Sequence, residues 1–285
     1  MKRQQLDYIK EWVNRKTRKP LIIRGARQVG KTTLVRLACQ EMGLKLVELN
    51  MDDSQDFTPL LSQNDPYKVF QAIALSQQLS IINPKKTVFF FDEAQVCPEL
   101  IPFLRYCFER APEYRVILTG SLLEFVLEAD NYSFPVGRVE FLYLGPMTFE
   151  EYLAGTNNEA AFELLQTVTV ENPFDEATHR IFLKHLRHYL MVGGMPEAIN
   201  VYRETGSYVE VERSKQSIIT TYQADFYKYG SKADIHLLNR VLATIPIHLG
   251  KKVMYTRLSE GSRSDQVKRV LELLELAKVI QRCFH

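Results

Sequence analysis

Several common classes of function find little support in this sequence. No apolar run approaches the roughly 20 residues of a membrane-spanning helix, and the amino terminus MKRQQLDYIKEW is amphipathic rather than a secretory leader. The four cysteines, Cys39, Cys97, Cys107 and Cys283, form no CxxC pair and lie in or beside apolar segments, so no zinc site is indicated and reduced, buried thiols are expected. A formal net charge of +2 gives no whole-chain case for nucleic acid. These absences lead to the expectation of a cytoplasmic protein with no membrane partner.

Composition is that of an ordinary globular chain. With 285 residues, 46% apolar and 25% charged, it is longer than one typical domain and can bury a substantial core. Charge is uneven locally, because Met1 to Arg36 holds eleven Lys/Arg against two Asp/Glu. Two readings stand: a polyanion-binding face, or a solvated amino-terminal helix beside a loop that must bind phosphate anyway.

That loop is the most informative feature. GARQVGKTT, Gly25 to Thr33, follows the apolar run Leu21-Ile22-Ile23 and precedes a helix-forming segment, which is the setting a GxxxxGK[ST] phosphate loop requires. Gly25 and Gly30 let the loop wrap so that the backbone N–H groups of Ala26, Arg27, Gln28, Val29 and their neighbours face phosphate. Lys31 can then reach the β and γ oxygens, the Thr32 hydroxyl is placed for Mg²⁺, and Thr33 supports the helix. The chain is therefore expected to bind a nucleoside triphosphate.

Later strand ends carry the complementary chemistry. TVFFFDEAQ reads as a buried strand, Val88 to Phe91, ending at two adjacent acids. In a Walker B reading Asp92 orients Mg²⁺ and Glu93 activates the attacking water; the alternative is an acidic helix cap. Arg115 to Leu118 reads as a third strand ending at Thr119 and Ser121, where a hydroxyl can sense the γ-phosphate or shape the turn around Gly120. Arg138, just before the strand Val139 to Leu144, is either an arginine finger or one half of an ion pair with Glu140 or a neighbour.

Between these landmarks the periodicity predicts helices over Leu6 to Val13, Tyr67 to Leu79 and Leu100 to Arg110, a strand over Leu44 to Leu49, a loop over Met51 to Pro66, and a helix capped by Thr148. The order describes a parallel α/β sheet with its ligand at the carboxyl edge. Glu150 to Lys232 reads as helical, broken at Asn172-Pro173 and at Gly193-Gly194-Met195-Pro196. From Ile235 onward a helix, a short helix at Tyr255 to Ser259, a helix from Ser264 to Ala277 and a β-like stretch from Val279 to Phe284 resemble a winged helix-turn-helix. Its presumed recognition helix sets Arg263, Lys268 and Arg269 against Asp265, Glu272 and Glu275, a weak footprint for DNA. The expected domains are 1–149, a P-loop ATPase core; 150–232, a helical lid; and 233–285, a winged helix.

GARQVGKTT, VFFFDEAQ, ILTGSLL, VGRVEFLYLGPMTFEEYL and YLMVGGMPEAI, in that order, resemble the prokaryotic AAA-type ATPases that carry a P-loop core, a helical lid, a winged helix and a C-terminal nuclease-like domain. The resemblance implies an α/β P-loop NTPase fold of AAA/ASCE type and ATP rather than GTP, and no NKxD motif is present to read guanine. It also implies that Gly194 and Pro196 lie near the adenine end of the nucleotide; a plain helix-breaking turn is the alternative. The nuclease-like module of such proteins is absent from this sequence, and its activity does not transfer. The leading expectation is a Mg²⁺-dependent ATP hydrolase of low turnover acting as a conformational switch, with ATP and ADP as ligands and a protein partner or self-association. The alternatives are a DNA-stimulated ATPase and a non-hydrolysing nucleotide-dependent module. A helicase is disfavoured because the SAT-like motif and a second RecA-like domain are missing.

Overall fold

The fold is described from a computed structural model, over residues 1, 3–54, 57–79, 82–120, 123, 135–229 and 232–283. Helix α1 (Gln5–Asn14) buries Leu6, Ile9, Trp12 and Val13, one stripe at helical spacing, and the Trp12 indole N–H donates to the Lys19 carbonyl at 2.9 Å. That bond fixes the approach to strand β1 (Leu21–Arg24). Helix α2 (Lys31–Glu41) and strand β2 (Lys45–Asn50) follow, then α3 (Thr58–Leu61), α4 (Pro66–Ser76), β3 (Thr87–Asp92), α5 (Leu100–Arg110), β4 (Arg115–Thr119) and β5 (Glu140–Tyr143).

All five strands are parallel, in the order β2-β3-β4-β1-β5. Residues 87–91 of β3 are buried without alternation, as a parallel strand covered on both faces must be. Phe70 of α4 stacks on Phe89 of β3 with centroids 4.1 Å apart, and Phe103 of α5 meets Phe91 edge to face. Register places Leu21 of β1 opposite Ile117 of β4 and Glu140 of β5, so the phosphate loop leaves the sheet at the carboxyl edge.

The expected loop from Met51 to Pro66 contains α3, where Pro59 sits in the first turn and Leu61 is fully buried in the core. The next helix starts one residue early and ends at Ser76, with Asp65 capping it at the Lys68 N–H and Pro66 at its first position. Strand β5 is shorter than Val139 to Leu144 at each end.

Beyond the sheet lie α6 (Phe149–Gly155), α7 (Glu159–Leu165), α8 (Glu176–Val192), α9 (Pro196–Thr205), α10 (Tyr208–Tyr229), α11 (Lys232–Thr244), α12 (Tyr255–Leu258) and α13 (Ser264–Leu276). Helix α6 starts at a capping box: Thr148 accepts from the Glu151 N–H and Glu151 accepts from the Thr148 N–H. The chain divides into two compact units, Met1–Tyr189 with Gly194–Pro196, and Leu190–Gly193 with Glu197–His285. In the second, α11 packs on α13, burying Leu237, Leu238 and Val241 on one and Val267, Val270 and Leu274 on the other.

One expectation fails there. Residues 279–283 form no strand, and Phe284 lies outside the described residues. A strand needs a ladder partner. Here Arg282 is instead tied back to α13, its Nε donating to Glu275 at 2.7 Å. Helix α11 also stops at Thr244, where Pro246 turns the chain into a 3₁₀ segment, Ile245–His248.

Candidate nucleotide site

The loop between β1 and α2 has the backbone its glycines allow. Gly25 holds φ +148°, and a Cβ there would lie 2.0 Å from the Leu144 carbonyl oxygen, so no other residue fits. Gly30 holds φ +93° and opens α2. Gln28 is also left-handed at φ +62° and exposed, whereas Ala26 and Val29 are buried and support the loop from below. No side chain caps α2 among the described residues, and no acid stands in its first turn. An eleven-residue helix thus presents there the positive end of its dipole and the first-turn N–H groups that no intrahelical carbonyl can reach, which suits an anion.

Lys31, nearly buried, folds back so that its ammonium donates to the carbonyls of Gly25 at 3.1 Å and Ala26 at 2.9 Å. Thr32 is half-buried and Thr33 exposed on the same turn. The Thr32 hydroxyl donates to Asp92 Oδ2 at 2.6 Å across the edge between β1 and β3. Asp92 Oδ1 accepts from the Thr119 hydroxyl at the end of β4 and from the Glu93 N–H at 3.0 Å. The ends of β3 and β4 and the first turn of α2 thus converge on one carboxylate. Thr32 and Asp92 form a pair of hard oxygen donors, the chemistry a Mg²⁺ ion takes together with its waters.

Glu93 adopts φ +52°, a conformation uncommon outside glycine, which marks the turn after β3 as specially held. Gln95, in the 3₁₀ turn Ala94–Val96, donates its amide to Glu93 Oε2 at 2.6 Å. Its Oε1 is buried with no partner among the described residues, and a Cβ on Gly120 would come within 2.7 Å of it. Sequence reasoning missed Gln95, although a carboxamide two residues after a turn-borne acid is the signal that could have found it. It also missed Arg3, whose guanidinium reaches the Val29 carbonyl of the loop at 2.7 Å.

Gly194 and Pro196 come to the same region. The Met147 N–H donates to the Gly194 carbonyl at 2.7 Å, Tyr189 donates to the Met147 carbonyl at 2.7 Å, and a Cβ on Gly194 would meet that carbonyl at 2.6 Å. Pro196 Cγ would lie 3.8 Å from a Cβ on Gly30. Pro196 therefore lies beside the phosphate loop, and Gly194 against the Pro146–Met147 segment.

Arg138 does not. It precedes β5, whose first residue pairs with Leu21 at the start of β1, whereas the loop follows Arg24. In a parallel sheet this separates the two by the length of β1, about 10 Å. Its Nε donates to Glu109 of α5 at 3.0 Å and its side chain is 46% exposed. Glu140, the other expected partner, accepts from Arg15 at 2.8 Å and Tyr8 at 3.1 Å instead. Burial and that carboxylate push the Tyr8 hydroxyl above its ordinary pKa. Ser121, the second strand-end hydroxyl, lies outside the described residues. Among the described residues no helix is long and apolar enough to cross a membrane, and no cluster of three or more His, Cys, Asp or Glu could hold a metal ion.

Comparison with known proteins bears on the fold. Residues 17–153 match the family described as "AAA domain", and residues 183–285 match a domain of unknown function, DUF8612. No curated protein matches the chain. Among solved structures, the Walker-type ATPase PABY2304 of Pyrococcus abyssi is similar in fold, with a TM-score of 0.54 and 17% identity over 96% of this chain and 88% of that one. The ORC2 protein of Aeropyrum pernix, solved in ADPNP and ADP complexes, gives a TM-score of 0.49 and 15% identity over 98% and 86%. Loop, sheet order and family match converge on one coarse statement: residues 17–153 of this chain match the AAA domain, built on a P-loop sheet.

Proposed function

We propose that this chain binds ATP at the loop Gly25–Thr33 and hydrolyses it slowly, using the state of the nucleotide as a conformational switch. The observation that carries the reading is the meeting of Thr32, Asp92 and Thr119 beside an uncapped helix N-terminus. Gly30, Lys31 and the first turn of α2 hold the phosphates, with Lys31 exchanging two loop carbonyls for phosphate oxygens. Mg²⁺, held by Thr32 and Asp92, would neutralise charge on the β and γ oxygens when bound. Glu93 takes the proton of the attacking water, Gln95 orients Glu93, and Thr119 holds Asp92 in place. Gly194 and Pro196 line the adenine end.

The switch rests on how the chain runs. It passes between the two compact units on either side of Gly194–Pro196, the segment that lies against Gly30 and Met147. A γ-phosphate bound on that loop would be felt there first. In this reading 150–232 acts as the lid and 233–285 as a winged-helix output element. Arg138 enters only in trans, on a second copy of the chain.

Phosphate release should be measured across protein concentration, with and without DNA. A measurable DNA-independent rate is expected. ATP binding without turnover contradicts hydrolysis, DNA stimulation replaces the switch with a nucleic-acid-driven ATPase, and a specific rate independent of protein concentration removes Arg138 from the reading.

A further inference from the structure

Arg3 is only 6% exposed, and each of its guanidinium nitrogens has a different partner. Nε donates to Glu151 Oε1 at 3.1 Å, Nη1 to the Val29 carbonyl at 2.7 Å, and Nη2 to the Gly145 carbonyl at 2.7 Å. Glu151 is as deeply buried, and its oxygens also accept from the Gln4 N–H at 2.8 Å and the Thr148 N–H at 3.1 Å. Burying such a pair costs several kcal/mol per ion in desolvation, offset here by a bond on each guanidinium nitrogen and on both carboxylate oxygens. A buried network of this kind, joining residues 148 positions apart in sequence, fixes the backbone it touches.

What it touches is the phosphate loop. The peptide joining Val29 to Gly30 is planar and trans, so a carbonyl drawn toward Arg3 turns the Gly30 N–H to the opposite side. Gly30 is the glycine of the GK[ST] element and the start of α2. The other end of the loop is held by the same neighbourhood. Leu144 donates its N–H to the Arg24 carbonyl at 2.8 Å, its own carbonyl closes over Gly25, and Arg3 grips the next residue, Gly145. One guanidinium therefore ties the last turn of the loop to the segment that clamps its first glycine. A lysine has a single nitrogen and cannot span all three partners.

We propose that Arg3 is a positioning residue for nucleotide binding, presetting the Val29–Gly30 peptide so that the loop meets phosphate without rearranging. The proposal rests on the ATP reading above. Its test is a titration of a fluorescent ATP analogue with Mg²⁺ into the full chain, for wild type, Arg3→Ala, Arg3→Lys and Thr148→Ala, each with its nucleotide-free Tm. Thr148→Ala removes the side-chain cap of α6 and leaves the bonds of Arg3 in place. Arg3→Ala should bind about tenfold more weakly, the loss of a charge-assisted bond. Arg3→Lys should fall between, and Thr148→Ala should lower Tm with affinity unchanged. Added guanidinium ion, at non-denaturing concentration, should restore part of the affinity of Arg3→Ala and none of that of Lys31→Ala.

Wild-type affinity in Arg3→Ala overturns the proposal, as does a loss that Thr148→Ala reproduces at equal loss of Tm. If Arg3→Ala does not fold, Arg3→Lys decides by the same titration, and an unchanged affinity refutes it. Failure of wild type to bind the analogue would sink the ATP reading itself; a wild type that binds beside an Arg3→Ala that binds equally sinks only the role of Arg3.

Discussion

The two edges of the sheet carry polar networks built from different partners. At the carboxyl edge, Asp92 is held by two hydroxyls and a main-chain N–H, and Lys31 by two main-chain carbonyls. At the amino edge, Glu140 is held by Arg15 and Tyr8, and Glu109 by Arg105 and Arg138, with the Glu109 carboxyl kept below its ordinary pKa by the two guanidinium groups. The first set can exchange its partners for a metal ion and phosphate oxygens, because neutral groups are released rather than opposite charges. The second is satisfied as it stands, and exposed pairs of this kind contribute about 0 to 1 kcal/mol.

The sharpest way to break that contrast is at Glu93. Glu93→Gln should lower phosphate release by about 10² to 10⁴ while ATP binding persists, read by release assay and titration on the same sample. Gly25→Ala comes next: its methyl would collide with the Leu144 backbone, costing about 3 kcal/mol of stability, measured by urea unfolding, and abolishing ATP binding. Lys31→Ala should weaken ATP binding by about tenfold or more with a small change in Tm. At the amino edge Arg138→Ala should cost less than about 1 kcal/mol and leave ATP affinity unchanged; a loss of affinity would erase the distinction between the edges.

A separate, pH-dependent effect concerns a buried thiol. Burial pushes Cys39 up to about 11 from its ordinary 9.0. The unfolded chain therefore loses that proton first, and stability should fall as pH rises from 9.0 toward about 11. Tm measured across that window should decline less steeply in Cys39→Ala.

How far the sequence discloses these features follows the range of the interactions. Strands β1, β3 and β4 lie in the middle of the sheet, and their unbroken apolar runs predict them within a residue. Thr148 and Glu151 announce a capping box by spacing alone. Leu21 facing Glu140 is a matter of register, which no local pattern contains, so Arg138 could be placed only once β5 was paired. Arg3 is less legible still. A charged residue near a chain start ordinarily reads as solvated, and what buries it is a carboxylate 148 positions away. The stretch 279–283 shows the reverse error: β-favouring residues with no neighbouring strand stay irregular.

The central claim is that strand-end residues assemble one triphosphate pocket, and a crystal structure with Mg²⁺ and a non-hydrolysable ATP analogue tests it most directly. The account predicts phosphates on the loop Gly25–Thr33, the metal against Thr32 and Asp92, and Glu93 facing the terminal phosphate. A cleft without nucleotide, or a metal remote from Asp92, would contradict it.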